Sequence, residues 1–224
     1  IRRLSVDHVV VAGGSNYRTL RAAGIDPDFL VLVERGMDTY HNYEESVATY
    51  GRSSTRLLMS ATCPAQLTEL FDETAIYFRP ALTPLAVFSD RPSEILSFEG
   101  PESVNTAMAL AVACGAATIA CFGVDLGTTD PAHDRSKSAA GSSQRRWDLQ
   151  QPGNFVETVY TNRNQIDARL MLEIAIRAHA EHGRVFNCSD GLLIEGAEPM
   201  RPEAYEQLWQ SGALPASAPE RVYD

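Results

Sequence analysis

The sequence predicts an α/β protein built on a doubly wound, mostly parallel sheet with helices on both faces. Short runs along the chain are continuously apolar, as strands buried on both faces require, rather than alternating. Helical segments separate these runs, and glycines stand where the helices should stop. No segment repeats.

Residues 8–12 form the first apolar run, ended by Gly13-Gly14, and read as a buried strand. A helix is expected over 16–23, stopped by Gly24, and a second strand over 29–33. Two more strands are expected over 55–60 and 74–78, with a short helix after Pro64 between them. Residues 103–114 give the clearest helix, with Ser103 as N-cap and Gly115 as the stop, and 118–122 give the strand that follows. A longer helix is expected over 164–182, with Ile166, Leu170, Ile174, Arg177 and Ala178 on its inward stripe and Gly183 at its end. Residues 184–187 form the last good strand, and a helix over 202–211 leads into a connector. The stretch 127–162 breaks the alternation: it is long, polar and rich in Ser, Gly and charge, as functional lids or disordered segments are.

Composition narrows the function classes. The 224 residues suit one compact domain with 44% hydrophobic and 21% charged residues, and need no disulfide or metal staple. Nineteen Lys and Arg against twenty-nine Asp and Glu give a net charge of −10, with no basic run interleaved with aromatics, so nucleic acid is not an expected partner. The apolar stretch 104–124 is broken by Asn105, Thr106 and Gly115, short of the ~18 uninterrupted apolar residues a membrane span needs. Cys63, Cys114, Cys121 and Cys188 form no C-x-x-C pair and sit among apolar or small residues, which points to buried reduced thiols of a cytoplasmic protein. The chain opens on Ile1 rather than Met, which suggests a piece of a larger polypeptide.

In open parallel sheets, ligands bind beyond the carboxyl ends of the strands. That rule selects Gly13, Gly14, Ser15 and Asn16, then Glu34, then Gly123, Asp125 and Gly127, and finally Asn187, Ser189 and Asp190. Gly13 to Asn16 can turn backbone N–H groups towards a phosphate or serve as a plain tight turn, and the spacing is not the G-x-G-x-x-G of a nicotinamide site. Ser103, Asn105 and Thr106 lie in the first turn of a helix, where free N–H groups favour an anion, or simply cap it. Asp125, between two glycines at a strand end, suits a base, a hydroxyl ligand, a metal ligand or a cap. Glu34 offers the same roles, or an ion pair with Arg35 or Arg52. His133, in the polar stretch, is a base if the loop folds inward and a solvated histidine if not. His179 and His182, at a helix end beside Glu181, read as surface residues.

Together these segments resemble the motility accessory factor family. The resemblance runs through Gly24-Ile25-Asp26-Pro27-Asp28-Phe29 to Glu34, then Ser103-Val104-Asn105-Thr106-Ala107 into Gly123-Val124-Asp125-Leu126-Gly127. It continues through Pro152-Gly153-Asn154-Phe155, Val159-Tyr160-Thr161-Asn162, Asn187-Cys188-Ser189-Asp190-Gly191 and Ile194-Glu195-Gly196-Ala197. The matches are in order and cover residues 8–200.

The resemblance implies a Rossmann-like glycosyltransferase core over 1–200, related to bacterial sialyltransferases, with residues 201–224 as a C-terminal helix and connector. It implies transfer of a nonulosonic acid, of pseudaminic or legionaminic type, from a CMP-activated donor to Ser or Thr of flagellin, as flagellum assembly and motility require. Asp125, Glu34 and His133 become the catalytic candidates, Asp125 first among them. Asn154 and Thr161 join Gly13, Gly14, Ser15, Asn16, Ser103, Asn105, Thr106, Gly123, Gly127, Asn187, Ser189 and Asp190 as donor-binding candidates. No cofactor is specified, and a magnesium requirement is left open. The family's opening gly-x-gly-pro-ser turn is not found, so its first strand is expected upstream of Ile1. The same superfamily holds an archaeal 6-hydroxymethylpterin pyrophosphokinase, which would use Glu34, Asp125 and Asp190 as magnesium ligands. No gly-x-x-x-x-gly-lys loop is present, and Lys137 is the sole lysine to screen a triphosphate, which leans away from that rival. A third reading is a non-catalytic module that binds flagellin.

Overall fold

A computed structural model describes residues 2–80, 90, 94–132 and 146–215. Their contacts group into two compact units, the first within Ile1–Ala107 and the second within Met108–Asp134 and Ser143–Asp224.

The first unit is a four-stranded parallel sheet in the order β1-β2-β3-β4. Its strands are β1 (Val11–Gly13), β2 (Phe29–Leu32), β3 (Arg56–Ser60) and β4 (Thr74–Tyr77). Helices α1 (Asn16–Ala22) and α2 (Met37–Tyr50) connect the first three strands, and a 3-10 helix over Ala65–Glu69 precedes β4. The continuous apolar runs become the core, in which Ala12, Leu30, Leu32, Leu57 and Met59 of the strands meet Tyr17, Tyr43, Leu67 and Phe71.

Helix α2 was not expected from the sequence. Its buried residues are Thr39, Tyr43 and Ser46, so its inward face carries one large apolar side chain and no hydrophobic stripe. Tyr43 makes the face hold, packing its ring 5.8 Å from that of Tyr17, which in turn meets Phe71 at 5.9 Å. The buried Ser46 hydroxyl donates to the Asn42 carbonyl at 2.9 Å and leaves nothing unpaired. The buried Arg21 guanidinium closes the far end, donating to the carbonyls of Tyr50 and Gly51 and pairing with Asp26 at 2.8 Å.

The second unit takes up most of α3 (Ser103–Ala113) and a parallel sheet in the order β5-β8-β9, of β5 (Thr118–Cys121), β8 (Arg184–Asn187) and β9 (Glu198–Pro199). The segment 127–162, expected as a lid loop, instead contains an antiparallel hairpin of β6 (Leu149–Gln151) and β7 (Val159–Thr161). Helix α4 (Arg163–His179) follows it, capped by Asn162, whose side chain accepts from the Gln165 amide. Helix α5 (Pro202–Gln210) buries Tyr205 against Phe122 and Phe186, at ring separations of 5.8 and 5.5 Å. The α/β class and the parallel strands are as expected.

Two expectations for α4 are corrected. Its buried face is Gln165, Ala168, Leu172, Glu173, Ala175, Ile176 and His179, while Leu170 and Ile174, expected inside, are 45% and 44% exposed. Both sets recur at helical spacing, and packing selects the one that carries Ala168, Leu172, Ala175 and Ile176. His179, expected at the surface, is buried and donates from Nε2 to the Ala116 carbonyl at 2.7 Å. Of the four cysteines, all free, Cys63, Cys121 and Cys188 are buried as expected and Cys114 is half-buried. Burial pushes the Cys63 and Cys121 thiols up to about 12 and that of Cys188 to about 11, so all three are protonated and inert at neutral pH.

Candidate functional site

The residues selected at the strand ends gather as two clusters, one in each unit. In the first, β1 ends at Gly13 and the start of α3 lies against it. A Cβ placed on Gly13 would sit 3.3 Å from the Val104 amide nitrogen, and one on Gly14 would meet the Ser103 hydroxyl at 3.2 Å and the Glu34 carboxylate at 3.3 Å. Gly14 also adopts φ +51°, and its N–H is committed to the Val31 carbonyl of β2 at 3.2 Å. These glycines therefore admit the α3 start and Glu34. Ser15 is half-buried at the start of α1, with no side-chain cap bond, and Asn16 is exposed.

Glu34, directly after β2, accepts from the Ser103 hydroxyl at 3.1 and 3.3 Å and from the Val33 amide at 3.1 Å. Its carboxylate thus stands at the positive end of α3, where an anion stabilises the helix. Neither arginine proposed as its partner takes that role, and Arg52 pairs with Asp72 at 3.0 Å. Asn105 and Thr106 are completely buried. The Asn105 side-chain oxygen accepts from the Glu102 amide at 3.1 Å, and the Thr106 hydroxyl donates to the Glu99 carbonyl at 2.8 Å. Their side chains build the first turn of α3 from within.

Behind that turn lies a polar group that sequence reading missed. The Tyr77 hydroxyl, at the end of β4, stands 3.1 Å from the Thr106 hydroxyl and 3.3 Å from the Leu32 carbonyl. The Glu99 carboxylate pairs with Arg79 at 2.7 Å, with side chains 7% and 14% exposed. Burial raises the Glu99 carboxyl above its ordinary range, and Arg79 pulls it back. Nothing in the local sequence marks these two residues, twenty apart, as partners.

In the second unit, β5 runs out through Gly123 to Asp125, Leu126 and Gly127. Gly123 is exposed at φ +64° with open space beside it. Asp125 is an exposed residue, and among the described residues no group hydrogen-bonds its carboxylate. Desolvation by the surrounding protein raises its carboxyl pKa, and the charge of Asp190 raises it further.

The neighbouring candidates hold the backbone beneath Asp125. The Asp125 carbonyl accepts from the Leu192 amide at 2.7 Å, and a Cβ on Gly191 would fall inside the Asp125 backbone. Thr161 is completely buried and donates to the Leu126 carbonyl at 2.8 Å, which helps to hold Leu126 at φ +51°. Gly127 gives room to β7, since a Cβ there would lie 2.6 Å from the Tyr160 carbonyl oxygen. Asn154 donates to the carbonyls of Asn187 and Ser189, both at 2.9 Å, while its own side-chain oxygen is buried with no partner among the described residues. The buried Asn187 accepts from the Ser189 amide, and the Ser189 hydroxyl accepts from the Val124 amide at 2.8 Å. Asp190 stays exposed and pairs with Arg201 at 2.9 Å, whose guanidinium lies 4.0 Å over the Phe155 ring. Arg201 escaped sequence reading because only the fold brings it beside Asp190. His133 lies outside the described residues.

Among the described residues, no three His, Cys, Asp or Glu side chains gather as metal ligands, and no helix is long and apolar enough to cross a membrane.

Residues 1–131 match a family described as 6-hydroxymethylpterin diphosphokinase MptE-like, more than half of the chain. The chain belongs to the MptE-like family. The matched MptE-like segment takes in the Glu34 cluster, β5 and Asp125. Among solved structures, the MptE-like chain is similar to the MAf glycosyltransferase of Magnetospirillum magneticum AMB-1, at 31% identity and a TM-score of 0.78, over 95% of this chain and 34% of that one. The motif resemblance to motility accessory factors thus has a counterpart in three dimensions, and the chain spans about a third of that protein's length. Comparison with curated protein sequences gives no match.

Proposed function

We propose that this MptE-like chain is a glycosyltransferase core that moves a nonulosonic acid from a CMP-activated donor to a Ser or Thr hydroxyl of flagellin. The observation that carries this reading is the likeness to a solved glycosyltransferase, 31% identical over 95% of the chain.

The chemistry of Asp125 supports it. In the transfer, the bond from the sugar's anomeric carbon to the phosphate oxygen breaks and CMP departs with the electron pair. A bond from that carbon to the acceptor oxygen forms, and the hydroxyl proton needs a base. The Asp125 carboxylate is free of hydrogen-bond partners among the described residues, its backbone is held through Gly191 and Leu192, and desolvation raises its carboxyl pKa above the ordinary value. A base is most effective when its pKa approaches the working pH. Glu34, occupied by Ser103 and Val33, is the second choice.

The family description favours a second reading, diphosphate transfer from ATP to a hydroxymethylpterin. In that reaction Asp125, Asp190, whose charge acts on Asp125, and Glu34 would be the magnesium ligands, and the ion would screen the triphosphate.

One experiment separates the two. The chain is expressed beside flagellin in cells that make a CMP-nonulosonate, and intact flagellin is weighed by mass spectrometry. In parallel, the purified protein is incubated with ATP, magnesium and 6-hydroxymethylpterin. Flagellin heavier by nonulosonate residues supports glycosyl transfer. Release of AMP with pterin diphosphate, and unmodified flagellin, moves the assignment to the kinase.

A further inference from the structure

We infer that the outward face of α4 is a self-association surface, on which a second copy of this chain lays its own α4 antiparallel to the first. The inward face of this helix is already filled, yet its solvent side carries a second stripe. Leu170 and Ile174 stand one turn apart on it, 45% and 44% exposed. Two large aliphatic side chains, adjacent on one helix face and uncovered, are what a helix–helix contact is built from.

The charges along the same stripe say what covers it. Arg163 and Asp167 precede Leu170 on this face and Arg177 follows Ile174, with Glu181 in the turn just past the helix end; all four are exposed. None of them is ion-paired or hydrogen-bonded through its side chain among the described residues. A two-fold axis through the stripe midway between Leu170 and Ile174 sets Leu170 against Ile174 of the second copy. The same axis sets Asp167 against Arg177, a pair of opposite charge, and brings Arg163 of each copy towards the end of the other helix, where Glu181 stands in the turn. Because the contact is isologous, every pair occurs twice. A parallel pairing in register would instead set like against like at each charged position. The sign pattern therefore selects a second copy, and selects the antiparallel arrangement.

Geometry permits it. At 1.5 Å per residue, α4 from Arg163 to His179 is about 24 Å long, a little over four turns of side-by-side contact. Such a pair buries an area at or below the roughly 1,200 Å² lower end of specific interfaces, so the dimer is reversible and concentration-dependent.

The test is sedimentation velocity of the purified chain from low micromolar to several hundred micromolar. A reversible monomer–dimer equilibrium is expected, with the dimer abolished by Leu170→Glu with Ile174→Glu. Asp167→Arg should raise the dimer Kd by about tenfold or more, since it sets like charges opposite each other twice. Adding Arg177→Asp to Asp167→Arg restores opposite charges and should return the Kd to within a few-fold of the original. Residues 167 and 177 lie far apart on one helix, so the rescue cannot come from within a single chain. Circular dichroism checks that each variant is folded, as substitutions at exposed positions allow. A monomer throughout the concentration range overturns the inference. So does a dimer that survives the two glutamates, or a charge swap that fails to rescue.

Discussion

Among the described residues, burial raises the pKa of two carboxyl groups, but different neighbours act on each and they respond differently to substitution. Asp125 is raised by desolvation and by Asp190, and among the described residues no side chain donates to its carboxylate. Its folded-state pKa therefore lies above its unfolded one, so its ionisation opposes folding as pH rises past the ordinary carboxylate range. Asp125→Asn removes that opposition while keeping shape. At neutral pH the melting temperature should be unchanged or higher, while turnover falls by about 10²–10⁴-fold, the worth of a general base. A kinetic assay beside a thermal melt checks both, and near wild-type turnover would pass the role to Glu34 or His133. Glu99 is raised by burial but held by Arg79. Arg79→Leu strips the partner and leaves a buried charge, at a cost of about 3–5 kcal/mol near neutrality. Because Glu99 then folds better protonated, the loss should shrink as pH falls. Urea denaturation at pH 5 and pH 8 reads the difference, and an equal loss at both would deny the pair that role.

At the scale of elements, the second cluster depends on three segments, 123–128, 152–154 and 187–193, that hold one another by backbone bonds. Gly191 is the point of closest approach, donating no side chain because the Asp125 backbone occupies the space a Cβ would need. The obstacle is backbone and cannot rotate away. Gly191→Ala should cost at least about 1–3 kcal/mol as an overpacked site and displace Asp125, lowering turnover as well. Guanidinium melts with the transfer assay test this, and full stability with full turnover would show that the segments part easily. The start of α3 obeys similar logic: Gly13 and Gly14 make room, Glu34 meets the positive helix end, and Asn105 and Thr106 turn inward.

At the scale of the whole molecule, the alternation of continuous apolar runs with glycine-stopped helices was enough to predict an α/β protein with parallel strands. That signal is local, because a strand buried on both faces must be apolar along its own length. Asp125 was legible for the same reason, as a carboxylate between glycines where a buried strand ends. Helix α2 was not, because its inward face is Thr39, Tyr43 and Ser46, and its stability comes from Tyr17 and from Arg21 at its carboxyl end. The β6–β7 hairpin was hidden in a polar stretch, since Leu149 and Gln150 are exposed on it. In α4, two faces share one helical period, and only the surface waiting for the helix chose Ala168 and Leu172 over Leu170 and Ile174. The sequence by itself determined the order and kind of the main elements, and which strand ends carry carboxylates. The tertiary structure decided what these residues touch and brought in others: Ser103 on Glu34, Gly191 on the Asp125 backbone, and the Arg79–Glu99 pair. Periodicity reports how a residue stands to its neighbours along the chain, whereas each of these contacts joins residues twenty or more positions apart, whose meeting only the packed fold defines.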